Sequence, residues 1–267
     1  MGSKRETSAA RVALAVTAVL APVALIVGFT ILAEFSSNLA GGGLGAAPLY
    51  AAELLVGAVV IFVFLRWIAA LRGTRPPVLG GSRGMVYGAA VGLAASLGSA
   101  LLFYAWKRPT LASPLAPVLR PSRVISNAGV AAIEEAGFRA GVVHIATAAW
   151  GQLAGLLAGS IPFGVLHLLG FIFGRPPSLT HVISVSAAGW LLSLLYLQFG
   201  LTSAFACHWV WNSLASNLAR AFQLPRRTGV MMFEGAWTTV LVLVILCVVI
   251  HRLARSSTAP VHQTEAN

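Results

Sequence analysis

Apolar residues arrive in long runs along this chain, separated by short stretches rich in glycine, proline or basic residues. A helix that crosses a bilayer needs roughly 20 apolar residues. Eight runs meet that length: Ala10–Ala33, Ala47–Leu71, Gly84–Trp106, Val124–Trp150, Gly151–Phe173, Leu179–Phe199, Leu201–Phe222 and Val230–Ile250. The predicted fold is therefore all-α, a polytopic membrane helix bundle of about eight transmembrane helices. No soluble domain fits between the spans, so residues 10–253 read as one membrane domain. The tail 1–9 is expected in the cytoplasm, and the polar tail 254–267 is expected to be disordered.

The breaks between runs carry their own signals. Ala40–Gly45 is a glycine-rich turn, and Gly73–Arg83 contains Arg75, Pro76, Pro77 and Arg83. The connection Lys107–Arg123 is longer and holds Pro109, Pro114, Pro117 and Pro121 among four basic residues. Proline excludes a regular helix there. This connection enters the fourth run directly, so it is either a cover for an entrance or a linker bound to headgroups. The fifth run opens with Gly151, Gly155 and Gly159, a spacing that lets helix backbones approach closely in lipid.

Composition strengthens the membrane reading. The chain is 58% hydrophobic and 9% charged, with a mean hydropathy of +0.85, where a soluble domain carries about 25% charged residues. The net charge of +11 does not argue for nucleic acid, because the basic residues cluster between apolar runs, where they meet headgroups and set topology. Lys4, Arg5 and Arg11 favour a cytoplasmic N-terminus in a multi-pass protein of the cell membrane, although Lys107, Arg108, Arg120 and Arg123 then fall outside. The first run is too long for a secretory signal and is expected to be retained. Cys207 and Cys247 both lie inside apolar runs and offer no disulfide framework.

Within these runs a few polar residues stand out. The chain has seven acidic residues, and Glu134 and Glu135 are side by side in IEEAGFRAGVVH, with Arg139 and His144 after them. A charge at the bilayer centre costs about 2.5–3.5 kcal/mol on the mildest scale, so such a cluster is a functional-site hypothesis by default. The fifth run holds Phe163 and His167 in FGVLH, and the seventh holds His208 and Asn212 in HWVWN. Residues four apart share a helix face, so His208 and Asn212 point the same way and Glu135 can reach Arg139. Glu134 lies 16 residues before Trp150 and His167 lies 16 residues after Gly151. In an antiparallel hairpin both then sit roughly 24 Å from the turn, at one height. His208 and Asn212 are about 12 and 18 Å beyond the turn at Gly200. A carboxylate and an imidazole at one height can share a proton and polarise water, while His and Asn can donate to a developing oxyanion. The same groups admit a Zn site made of Glu134, His167 and His208.

At these residues the chain resembles the CPBP family, the CAAX prenyl endoproteases and bacteriocin-processing enzymes. EEAGFR matches its EExxxR motif, FGVLH its FxxxH motif and HWVWN its HxxxN motif, in the family's order and on separate helices. The resemblance covers about Ile133–Ser216 and places the catalytic core at about 124–222. It implies an intramembrane endopeptidase acting on a membrane-associated or lipidated peptide or protein. Glu134 would be the water-activating base with His167 assisting, Glu135 and Arg139 its support, and His208 and Asn212 the oxyanion site. Family members are described both as metalloproteases and as glutamate-dependent enzymes. The chain lacks HExxH, and a metal held by Glu134, His167 and His208 would use up the proposed base, so a glutamate-activated water without a required cofactor is favoured over Zn. His144, His181, His251 and Glu53 read as structural or interfacial. Two other classes compete. A proton-coupled transporter would also use membrane Glu and His residues, but no internal repeat is present. A catalytically silent, immunity-type binding protein would not need every motif position intact. Partners are expected to be membrane lipids and the peptide substrate; oligomeric state is not readable.

Overall fold

A computed structural model describes residues 8–39, 46–71, 73–107, 120–168 and 179–221. Every regular element among them is helical: α1 (Ser8–Leu39), α2 (Ala46–Leu71), α3 (Ser82–Lys107), α4 (Pro121–Glu135), α5 (His144–Trp150), α6 (Gln152–Leu166), α7 (Leu179–Phe199) and α8 (Leu201–Ala221). Between α4 and α5 the chain continues without a break as a π-helix, Ala136–Val143. The rod from Pro121 to Trp150 is thus one helix, and Pro121 begins it where a missing N–H is harmless. The eighth predicted span, Val230–Ile250, lies outside the described residues, as do both tails and most of the proline-rich connection.

Among the described residues, four stretches are long and apolar enough to cross a membrane: Leu20–Leu39, Ala46–Ala70, Ser82–Ala105 and Leu179–Phe199. Each leaves much of its surface uncovered by protein. On α2, Leu55, Val56, Val59, Val60, Val63, Phe64 and Trp67 are all exposed, a continuous apolar face that suits lipid and not water. With these spans the chain is an integral membrane protein. The remaining helices depart from the predicted pattern. Of the fifth predicted span, Gly151–Phe173, the stretch to Leu166 is regular α-helix and residues 169–173 lie outside the described residues. α8 and the Pro121–Trp150 rod carry the polar motif residues and do not qualify on apolar character.

The π segment is the axis of the fold, with all eight of its residues buried. A helix covered on every side has to be apolar or fully paired. α1, α2 and α6 pack against it, while α2 also lies along α4, α6 along α7, and α3 along α8. Glycine sets these distances. A Cβ on Gly137 would run into Ile26 of α1, and one on Gly141 would lie 3.0 Å from Pro22 Cγ. On α6, Gly155 faces Thr147 and Gly159 faces Val143 and Ser193, so the predicted small-residue ladder is a packing surface. A second ladder, Gly84, Gly88 and Gly92 on α3, faces the backbone of Phe199, Ser203 and Cys207.

The start of α8 is fixed by the connection before α3. Gly200 (φ 88°) turns the chain between α7 and α8, and Gly80 (φ 88°) lies against it. A Cβ on Gly200 would be 2.7 Å from Gly80 Cα, so neither position accepts a side chain. The N–H groups of Leu201 and Thr202 donate to the carbonyls of Val78 (3.0 Å) and Leu79 (2.8 Å), which satisfies two of the unpaired donors of a helix start. That docking sets the height at which the polar residues of α8 enter the bundle.

Candidate active site

Glu134 and Glu135 end the regular part of the central helix, just where the π register begins. The His144 N–H then bonds to the Arg139 carbonyl, five residues back. Such segments are rare and concentrate at functional sites. Glu135 and Arg139 form an ion pair, Oε2 to Nε 3.1 Å, with both side chains completely buried. Its angle lies outside hydrogen-bond geometry, so Coulomb attraction is the main link. Arg139 Nη2 also donates to the Gly189 carbonyl (3.2 Å) on α7. The guanidinium lies 4.4 Å from the centroid of the Phe163 ring, a cation–π contact in a site without bulk water.

His208 of α8 meets both carboxylates. Its Nδ1–H donates to Glu135 Oε1 at 2.8 Å, and its Nε2 lies 3.7 Å from Glu134 Oε2. The side chain of Glu134 is 19% exposed where that of Glu135 is 0%. The two neighbours therefore differ: Glu135 is tied into a buried network, and Glu134 keeps a partly exposed side chain. Asn212 follows His208 by one turn, on the same face of α8.

His167 stands at the C-terminal end of α6, where Nδ1–H donates to the Phe163 carbonyl at 2.8 Å. In the neutral ring Nε2 is then the nitrogen with the lone pair. Phe163 is the plate on which the site rests. Its ring is 5.0 Å from that of His167, 6.0 Å from that of His208 and 5.0 Å from that of Phe138, centroid to centroid. Phe163 thus lies against Arg139, His167 and His208, and His208 in turn meets Glu134 and Glu135.

His181, read as interfacial from its place at a helix end, lies near the start of α7 with its ring 5.6 Å from that of His167. Its place at a helix end concealed that α7 begins beside the end of α6. His144 is a structural link, as read: Tyr196 donates its hydroxyl to Nδ1 (3.2 Å), and Nε2–H donates to the Arg75 carbonyl (2.8 Å). The role of Phe163 as a cation–π partner has no signature in sequence.

A Zn site would need three protein ligands at about 2.0–2.2 Å from one point. Among the described residues, no three His, Cys, Asp or Glu side chains are grouped closely enough to hold a metal ion. Glu134, His167 and His208 are neighbours here without forming a ligand set.

Residues 116–214 match the family model described as type II CAAX prenyl endopeptidase Rce1-like. No curated protein and no solved structure matches the chain. The matched stretch contains every residue gathered at the site together with Asn212, while α1, α2 and α3 lie outside it.

Proposed function

From the similarity of residues 116–214 to type II CAAX prenyl endopeptidases, we propose that this chain is an intramembrane endopeptidase in which Glu134 activates the attacking water. The observation that carries the assignment is the contrast between the two carboxylates, one half-open and one sealed. A general base must reach the proton that it removes, and only Glu134 is open to do so. His167, with its Nε2 lone pair, assists by taking or returning a proton. His208 is anchored through Nδ1 to Glu135 and presents Nε2 beside Glu134, where the tetrahedral oxyanion would form; donation to it requires a proton on each ring nitrogen. Asn212 supplies a second donor from the same helix face. Glu135 and Arg139 orient His208 and hold the central helix, and touch no substrate. The substrate is a peptide bond of a membrane-associated polypeptide, reached within the bilayer.

We favour a water activated by glutamate over one held by metal, because a metal bound by Glu134, His167 and His208 would use up the proposed base. Purified protein offered a peptide library should produce defined cleavage products, which a transporter or a binding protein would not. Activity should persist after stripping with chelator, with less than about a tenth of an equivalent of metal left. Loss on chelation, restored stoichiometrically by Zn²⁺, would overturn the glutamate mechanism and make His167 and His208 ligands.

A further inference from the structure

Asn127 lies seven residues before Glu134, in the regular part of the central helix. Seven residues are close to two turns, so both side chains leave the same face, about 10 Å apart along the axis. The other faces are already committed. A Cβ on Gly129 would meet Ala51 of α2, and Ile133 reaches Gly57. Glu135 and the Val124 carbonyl take His208 and Trp209 of α8. The strip of Asn127, Val130 and Glu134 remains, half-buried at all three positions. The amide nitrogen of Asn127 is buried and has no hydrogen-bond partner, as does Glu134 Oε2 at the other end of the strip. A buried donor left unpaired is unfavourable and calls for an acceptor that binds there.

The acceptor has to fit alongside the reacting bond. α8 lies parallel to α3, and α4 parallel to α2, as their glycine contacts run in register. The central helix and α6 run antiparallel about Gly151, α6 and α7 antiparallel through Gly159 at Ser193 and Gly164 at Ser186, and α7 and α8 antiparallel about Gly200, so α8 runs against α4. Going from His208 to Asn212 therefore moves toward Asn127.

We propose that Asn127 is a substrate-binding residue: its side-chain amide donates to a backbone carbonyl of the bound peptide. An extended chain rises about 3.3 Å per residue, so the carbonyl belongs to a residue about three positions from the cleaved bond. This rests on the endopeptidase reading and adds a length requirement to it.

The test compares wild type with Asn127→Ala on fluorescein-labelled library peptides, shortened one residue at a time from either end. The variant should lose about three- to tenfold in kcat/KM on long peptides, mostly through KM. On peptides too short to reach Asn127 the two proteins should be equal. An equal loss at every length would overturn the proposal. Asn127→Leu, which removes an unpaired polar group, should melt no lower than wild type; a clear drop would make the residue structural and also overturn it. Should wild type cleave nothing, the protease reading fails, and anisotropy of the same peptides decides separately. Weaker binding of long peptides alone to Asn127→Ala supports the site; equal affinity at every length, or no binding, sinks it.

Discussion

Glu134 and Glu135 are adjacent in the chain and live in different surroundings, and single substitutions should separate them. Glu134→Gln keeps size and removes a half-open charge that has no hydrogen bond at Oε2. The variant should fold and melt like wild type. Glu135→Gln removes the counter-charge of a guanidinium sealed in the core. Breaking a buried pair from one side costs about 3–5 kcal/mol. That variant should melt well below wild type or fail to accumulate, as measured by thermal unfolding in detergent. Equal stability of the two variants would contradict the distinction. Phe163→Ala should likewise lower stability, by about 3–5 kcal/mol, the usual range for a buried phenylalanine. It should also reduce activity, because the ring touches both histidines and Arg139.

At the scale of elements, three helices carry the site and others set their distance. The α3 ladder of Gly84, Gly88 and Gly92 lies on the backbone of α8, one residue away from His208 at Cys207. In an exposed helix Gly→Ala stabilises by up to about 1 kcal/mol. Here Gly88→Ala should do the reverse, since the new methyl meets the Ser203 backbone, and a lower melting temperature would register it. Much of this level was legible from residue spacing. The turns at Gly151 and Gly200 fall where the runs meet, and matched spacing about the first put Glu134 beside the helix of His167. The α3 ladder has the same four-residue period as the α6 one and is equally visible in the letters. Two features were not legible. The π register of Ala136–Val143 adds no residue type that a helix would refuse, so EEAGFR reads as ordinary α-helix. The end of regular α-helix at Leu166 is hidden because the apolar letters continue past His167. Hydropathy measures the medium that a segment tolerates, and does not record where the backbone turns within it.

At the scale of the whole molecule, apolar spans surround a central helix that carries the charges. The exposed face of α2 needs lipid, so the protein should remain in the membrane fraction after alkaline carbonate extraction. Release by carbonate would contradict the membrane reading. Basic residues at the start of the chain lead us to expect a cytoplasmic N-terminus, which accessibility of an N-terminal tag in sealed vesicles would report. In the proposed mechanism enclosure selects the base: the bundle seals Glu135 against Arg139 and leaves the Glu134 side chain partly exposed.

The most direct measurement is the turnover of Glu134→Gln beside wild type, on the library peptide that wild type cleaves best, with the melting temperatures of both in hand. A fall of at least about 100-fold at unchanged stability is the result expected when a general base is removed. Cleavage by the Gln variant within a few fold of wild type would show that Glu134 does not activate the water.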